Sequence, residues 1–249
     1  MTERLENSVE NLYETFEKYH SGPTMSGSPN YDDLRTWNRL IFKKPLRELD
    51  EDDLSRFTGK AITTWGNAND YKHFLPRIFE LTAELKTPYE IWIAFEKLNL
   101  AEWNNWTENE QKVIHEFMIS LWEFIVNNDS EKAEWEFKDY FSSVAHFYPK
   151  FSDLLDIWTE SKSKAGIKHL AEFIVSEQTT LFDRKKISGF HDKKENSDEL
   201  INWILSDEIL NKVQQKYFEY ETDKISEKIS WAEQIITTER KKYSTQQWL

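Results

Sequence analysis

Apolar residues recur at three- and four-residue steps along nearly the whole chain, and no stretch sustains a period of two between turn residues. The pattern predicts an all-α protein. Leu5, Val9, Leu12, Phe16 and Tyr19 make one apolar face of a first helix over 3–20. The Gly-, Pro- and Ser-rich residues 21–29 then predict a flexible connector. Asp50 is placed to cap a helix whose first turn is Glu51-Asp52-Asp53, running to Trp65 with Gly66 at its C′ position. Asn69 or Asp70 caps the next, which passes through Pro76 to about Lys86, with a kink expected at the proline. Thr87-Pro88 reads as a start with proline at N1, and Thr107 with Glu110 has the form of a capping box. Residues 91–98 and 113–125 are apolar on more than one face, as in central helices. Further helices are predicted over 131–145, 150–160, 164–176, 179–187 and 197–206. In the tail, Ile225, Ile229, Ala232 and Ile236 form a narrow seam for one partner helix of this chain or another.

An internal echo stands out. His73-Phe74-Leu75-Pro76-Arg77-Ile78-Phe79-Glu80-Leu81 matches His146-Phe147-Tyr148-Pro149-Lys150-Phe151-Ser152-Asp153-Leu154 in its order of residue types. The offset, 146 − 73 = 73 residues, holds two helical hairpins of the roughly 33–47 residues usual in helical repeats. Such hairpins bury their apolar stripes only by stacking on one another. Residues 51–176 thus resemble a degenerate array of HEAT-type α-α repeats. The stretch Thr63-Thr64-Trp65-Gly66 through Asp70-Tyr71-Lys72-His73-Phe74-Leu75-Pro76-Arg77 resembles a motif of uncharacterised bacterial helical proteins. The resemblance implies a short α-solenoid that serves as a binding scaffold, with no catalytic residues; a compact helical bundle is the alternative. The organisation expected is a leader, 1–45, of one helix and a flexible loop, followed by a helical-repeat domain, 46–249, ending in a long helix.

Composition narrows the chemistry. The 249 residues include no cysteine, which excludes disulfides, thiolate nucleophiles and cysteine-bound metals, and places the chain in the cytoplasm by default. Aromatic residues make up 15%, enough to build a core and to argue against disorder. No apolar run approaches the roughly 18 residues of a membrane span. Gly22 and Gly27 have phosphate-loop spacing, but Ser28-Pro29 follows where Lys and Ser/Thr are needed. Glu17-x-x-His20 has di-iron spacing without a second copy. His191-Asp192 resembles the doublet of all-helical metal-dependent phosphohydrolases, with His146 or His169 and Asp198 or Asp207 as further ligands. It sits among lysines in a polar loop. Ser161-x-x-Lys164 has nucleophile and base spacing but reads as a linker. No cofactor and no metal site is expected.

Charge selects the partner. The 45 acidic and 32 basic residues give a net −13, which opposes nucleic acid and anionic membranes and favours a basic protein. An acidic face is predicted from Asp50, Glu51, Asp52, Asp53, Glu131 and Glu134. Partner contacts are predicted from Trp65, Asp70, Tyr71, His73, Arg77, Trp103, Trp106, His146 and Lys150, with Trp103, Trp106 and Trp248 as exposed indole anchors. The leading expectation is a non-enzymatic adaptor, in its sharpest form an immunity protein that neutralises a basic toxin domain. The alternatives are a metal-dependent hydrolase using His191-Asp192 and a nucleic-acid-binding repeat protein.

Overall fold

Helix starts in this protein are written locally by short polar side chains. In the computed structural model, which describes residues 1–188 and 193–246, Asp50 and Asp53 form one capping box, Asn67 and Asp70 a second, and Thr107 and Glu110 a third. All regular structure among the described residues is helical, apart from isolated bridges that join Trp65 to Gly27 and Ala61. None of these helices is long and apolar enough to cross a membrane. The chain forms two compact units, Met1–Phe124 and Ile125–Leu249.

The first unit holds α1 (Glu3–Phe16), α2 (Leu34–Ile41), α3 (Glu51–Lys60), α4 (Ala68–Ala83), α5 (Ile91–Leu100) and all but the last residues of α6 (Glu108–Val126). α1 presents Leu5, Val9, Leu12 and Phe16 to α4, all almost fully buried, so the leader is packed against this unit. The loop expected to be flexible is tied down: Ser28 N donates to Thr64 O at 2.8 Å, Gly66 N to Ser26 O at 2.7 Å, and buried Asn38 Nδ2 to Met25 O at 2.8 Å. Phe79 stacks on Phe95 of α5 and Phe117 of α6, joining three helices at the core.

Several boundaries differ from expectation. α3 stops at Lys60 rather than Trp65, because Ile62 turns left-handed (φ 69°) and the turn folds Trp65 into an aromatic cluster with Trp37 and Phe57. Gly66 follows at φ 70°, its absent Cβ leaving room for Asp70. Asn67, not Asn69 or Asp70, is the N-cap of α4. Pro76 lies inside α4 without ending it. α5 begins at Ile91, not Pro88: the ring of Tyr89 packs over Gly59, and Glu90 stays extended.

The second unit contains α7 (Glu131–Phe147), α8 (Phe151–Glu160), α9 (Lys164–Gln178), α10 (Lys194–Ile204), α11 (Asp207–Glu219) and α12 (Ile225–Gln246). A single π turn, Thr179–Asp183, extends α9 where a helix over 179–187 was expected. Trp158 is fully buried at the centre, ringed by Phe137, Phe141, Phe173 and Trp203. The tail seam is filled within the chain: Ile225, Ile229, Ala232 and Ile236 are buried, and α12 packs on α9 and α11.

The internal echo does not produce two copies of one local structure. Its first copy is the interior of α4, whereas the second straddles the break between α7 and α8, with Pro149 in the break. Pro76 is accommodated one turn and more after a capping box, while Pro149 follows an extended Tyr148 (ψ 132°), the conformation that a residue before proline prefers.

Candidate functional site

Most of the residues singled out in the sequence are spent on structure. Trp65 and Tyr71 are buried, with Trp65 Nε1 donating to Asn38 Oδ1 and the Tyr71 hydroxyl to Ala94 O. Asp70 closes its capping box and accepts from Ser21 Oγ. Arg77 donates to Leu49 O and Glu80. Two of the predicted indole anchors are not exposed: Trp103 is 5% exposed, and half-buried Trp106 donates from Nε1 to Ala101 O. His146 lies in the last turn of α7, and Lys150 is exposed but paired with Asp153. Ser161 bonds Asn127, and Lys164 pairs with Asp223. His191, Asp192 and Trp248 lie outside the described residues. Among the described residues no three His, Asp or Glu side chains are grouped to hold a metal, so His146, His169, Asp198 and Asp207 do not gather into one.

Of the acidic residues, Asp50 and Asp53 pair with Lys44, and Asp50 is held below the usual carboxylate range by the Asp53 amide and Lys44. Glu51, Asp52 and Glu131 are exposed. Glu134 is different, because it leads to a groove.

In the second unit α9 contacts both α7 and α12, and side chains of all three line a groove of about 290 Å³. Trp135 from α7 and Trp231 from α12 flank it, 89% and 45% exposed respectively. Trp135 projects away from the buried stripe of its helix (Ala133, Phe137, Tyr140, Phe141, Val144), two residues and thus about 200° from Phe137. Trp231 stands in the same relation to Ile229. This signal was available in the sequence; the two indoles were missed because neither sits at a helix corner.

The charges inside the groove are paired: Glu134 with Lys168, Glu172 with Lys228, and Lys138 with Glu177. Burial favours the neutral acid at Glu134, but hydrogen bonds from Lys168 and with Glu172, and the charge of Lys228, hold its carboxyl below the usual range. His169 is 2% exposed and stacks on Phe137, with centroids 4.3 Å apart. Its ring donates from Nε2 to Asn128 O at 2.9 Å, and burial pulls its pKa down, so it is neutral near pH 7 with Nδ1 as an acceptor. That Nδ1 is buried without a hydrogen-bond partner among the described residues.

Outside the groove the balance shifts. Glu131 and Asp139 lie one turn before and after Trp135, and Glu227 lies one turn before Trp231. All three are exposed, and none carries an ion pair among the described residues. The uncompensated charge beside the two indoles is therefore negative. No protein-family model matches the chain, and no curated protein or solved structure is significantly similar to it.

Proposed function

We propose that this chain is a non-enzymatic binding protein whose partner is a basic protein segment, held in the groove between α7, α9 and α12. The observation that carries the reading is Trp135, a tryptophan 89% exposed beside a concave surface. Leaving an indole in water forgoes the burial of a large apolar surface, and tryptophan is the residue most enriched at the energetic centres of protein interfaces. Trp231 supplies a second anchor across the same groove. Glu131, Asp139 and Glu227 then select for Lys or Arg, whose cations are also attracted to indole faces. On this reading the helices act as scaffold, as the HEAT-type resemblance implies, and the chain works in the cytoplasm.

The test is purification of tagged protein from its source cells at low salt, in parallel with a Trp135→Ser/Trp231→Ser variant. A basic protein should co-purify stoichiometrically with the wild type and be lost from the variant, because removing such an anchor costs about 2 kcal/mol or more, roughly thirtyfold in affinity. Retention of the same partner by the variant, or an acidic partner, would overturn the reading.

A further inference from the structure

A second concavity lies in the first unit, between α1, α4 and the segment around Pro45, with a volume of about 490 Å³. That size is in the range of small-molecule sites. Its walls are Tyr13, Phe16 and Pro76, and most of its polar groups already have partners. Arg47 lies over the Tyr13 ring at 3.7 Å and forms a bidentate pair with Glu10, both bonds 2.7 Å. The Tyr13 hydroxyl donates to Glu80 and that of Tyr19 to Glu110.

Four groups remain: His73, Glu14, Glu17 and the exposed His20. His73 donates from Nδ1 to Tyr19 O at 3.0 Å, which fixes the tautomer and leaves Nε2 as an acceptor without a partner among the described residues. Burial pulls the His73 pKa down, helped by neighbouring His20, so the ring is neutral near pH 7. Glu14 and Glu17 line the same cleft, one helical turn apart, and neither carries an ion pair among the described residues. The cleft thus offers two unpaired carboxylates, one fixed acceptor nitrogen and aromatic walls, while its arginine is neutralised. An anion has no free donor there other than His20. A cation bearing N–H groups satisfies both carboxylates and His73 Nε2.

We propose that this cleft binds a small aliphatic amine in its ammonium form, with N–H donated to His73 Nε2 and the positive charge held by Glu14 and Glu17. Spermidine, butylamine and uncharged butanol, titrated into the full-length protein by calorimetry at pH 7, separate the contributions. The amines should bind saturably with one site per chain, and butanol should not. Glu17→Gln, an exposed substitution, and His73→Ala should each weaken binding by roughly tenfold, whereas Glu221→Gln, exposed in the other unit, should leave it unchanged. Should His73→Ala fail to fold, the ring ¹⁵N resonances of the wild type replace it: spermidine should shift those of His73 and leave those of His169 in place. No saturable binding of either amine up to about 10 mM would overturn the proposal. So would affinity that ignores Glu17→Gln, falls equally with Glu221→Gln, or leaves the His73 resonances unmoved.

Discussion

At the scale of single residues, the tightest knot is around Glu110, only 1% exposed. Its carboxylate accepts from the Tyr19 hydroxyl at 2.5 Å, Lys18 Nζ at 2.9 Å, the Thr107 amide at 3.1 Å and Lys72 Nζ at 3.3 Å. Lys72 in turn lies over the Trp106 ring at 4.0 Å. Burial favours the neutral acid, but these hydrogen bonds and the Lys72 charge outweigh it and hold the pKa at about 2. A carboxyl depressed in the folded state contributes stability that is complete above its unfolded value, about 4.5, and is lost as pH falls toward 2. The difference corresponds to about 3 kcal/mol. Denaturant unfolding between pH 6 and 2 should therefore show a fall in stability through that window, and Glu110→Gln should be less stable at pH 7 and flatter below pH 4.5. Parallel curves for the two proteins would show that the acid sensitivity lies elsewhere. Thr107 and Glu110 were legible because a capping box is a four-residue signal. Lys72 and Tyr19 were not, since no local pattern tells a lysine 38 residues away, the distance 110 − 72, that it will be buried beside that glutamate.

At the scale of elements, helix ends decide where the side chains of the fold can go. α8 ends at Glu160, and its last carbonyls are satisfied from another helix: Lys212 of α11 donates to Trp158 O at 2.9 Å, Thr159 O at 2.6 Å and Ser161 O at 2.7 Å. Burial pulls this ammonium down to about 8, so it is still charged at pH 7 and complements the negative end of the helix. Lys212→Met keeps an unbranched side chain out to the ε position and removes every donor. At pH 7 it should lower stability by about 2 kcal/mol, read as a shift of the denaturation midpoint. A change below about 0.5 kcal/mol would show that water caps α8 equally well. The same scale explains what sequence reading found and missed. Caps at Asp50 and Ser163 sit beside the helices they start, and those helices begin where the pattern put them. The ends of α3 and the start of α5 depend on Trp65 reaching Trp37 and on Tyr89 reaching Gly59, contacts between segments that the chain order keeps apart. The groove of α7, α9 and α12 was hidden for the same reason, although the off-stripe positions of Trp135 and Trp231 were visible on each helix separately.

For the whole molecule, the excess of 45 acidic over 32 basic residues acts on any approaching partner before contact. Long-range attraction accelerates encounter and is screened by salt, with a Debye length of about 10 Å at 0.1 M and about 3 Å at 1 M. Short-range packing on an indole governs escape instead. The two contributions can be separated with a basic partner of the kind proposed. Its association rate should fall by roughly tenfold or more between about 20 mM and about 500 mM salt, while its dissociation rate changes little. Neutralising Glu131, Asp139 and Glu227 together as amides should lower the association rate at low salt and reduce its salt slope, whereas Trp135→Ser should leave both nearly unchanged and raise the dissociation rate. Stopped-flow measurements over a salt series distinguish the cases directly. If the triple amide variant keeps the full salt slope, steering comes from the net charge of the molecule and not from the carboxylates beside the groove. If Trp135→Ser alters only association, the indole guides encounter and does not anchor the complex. The acidic surface and the two tryptophans are thus assigned to different rate constants, and each assignment is open to refutation by its own variant.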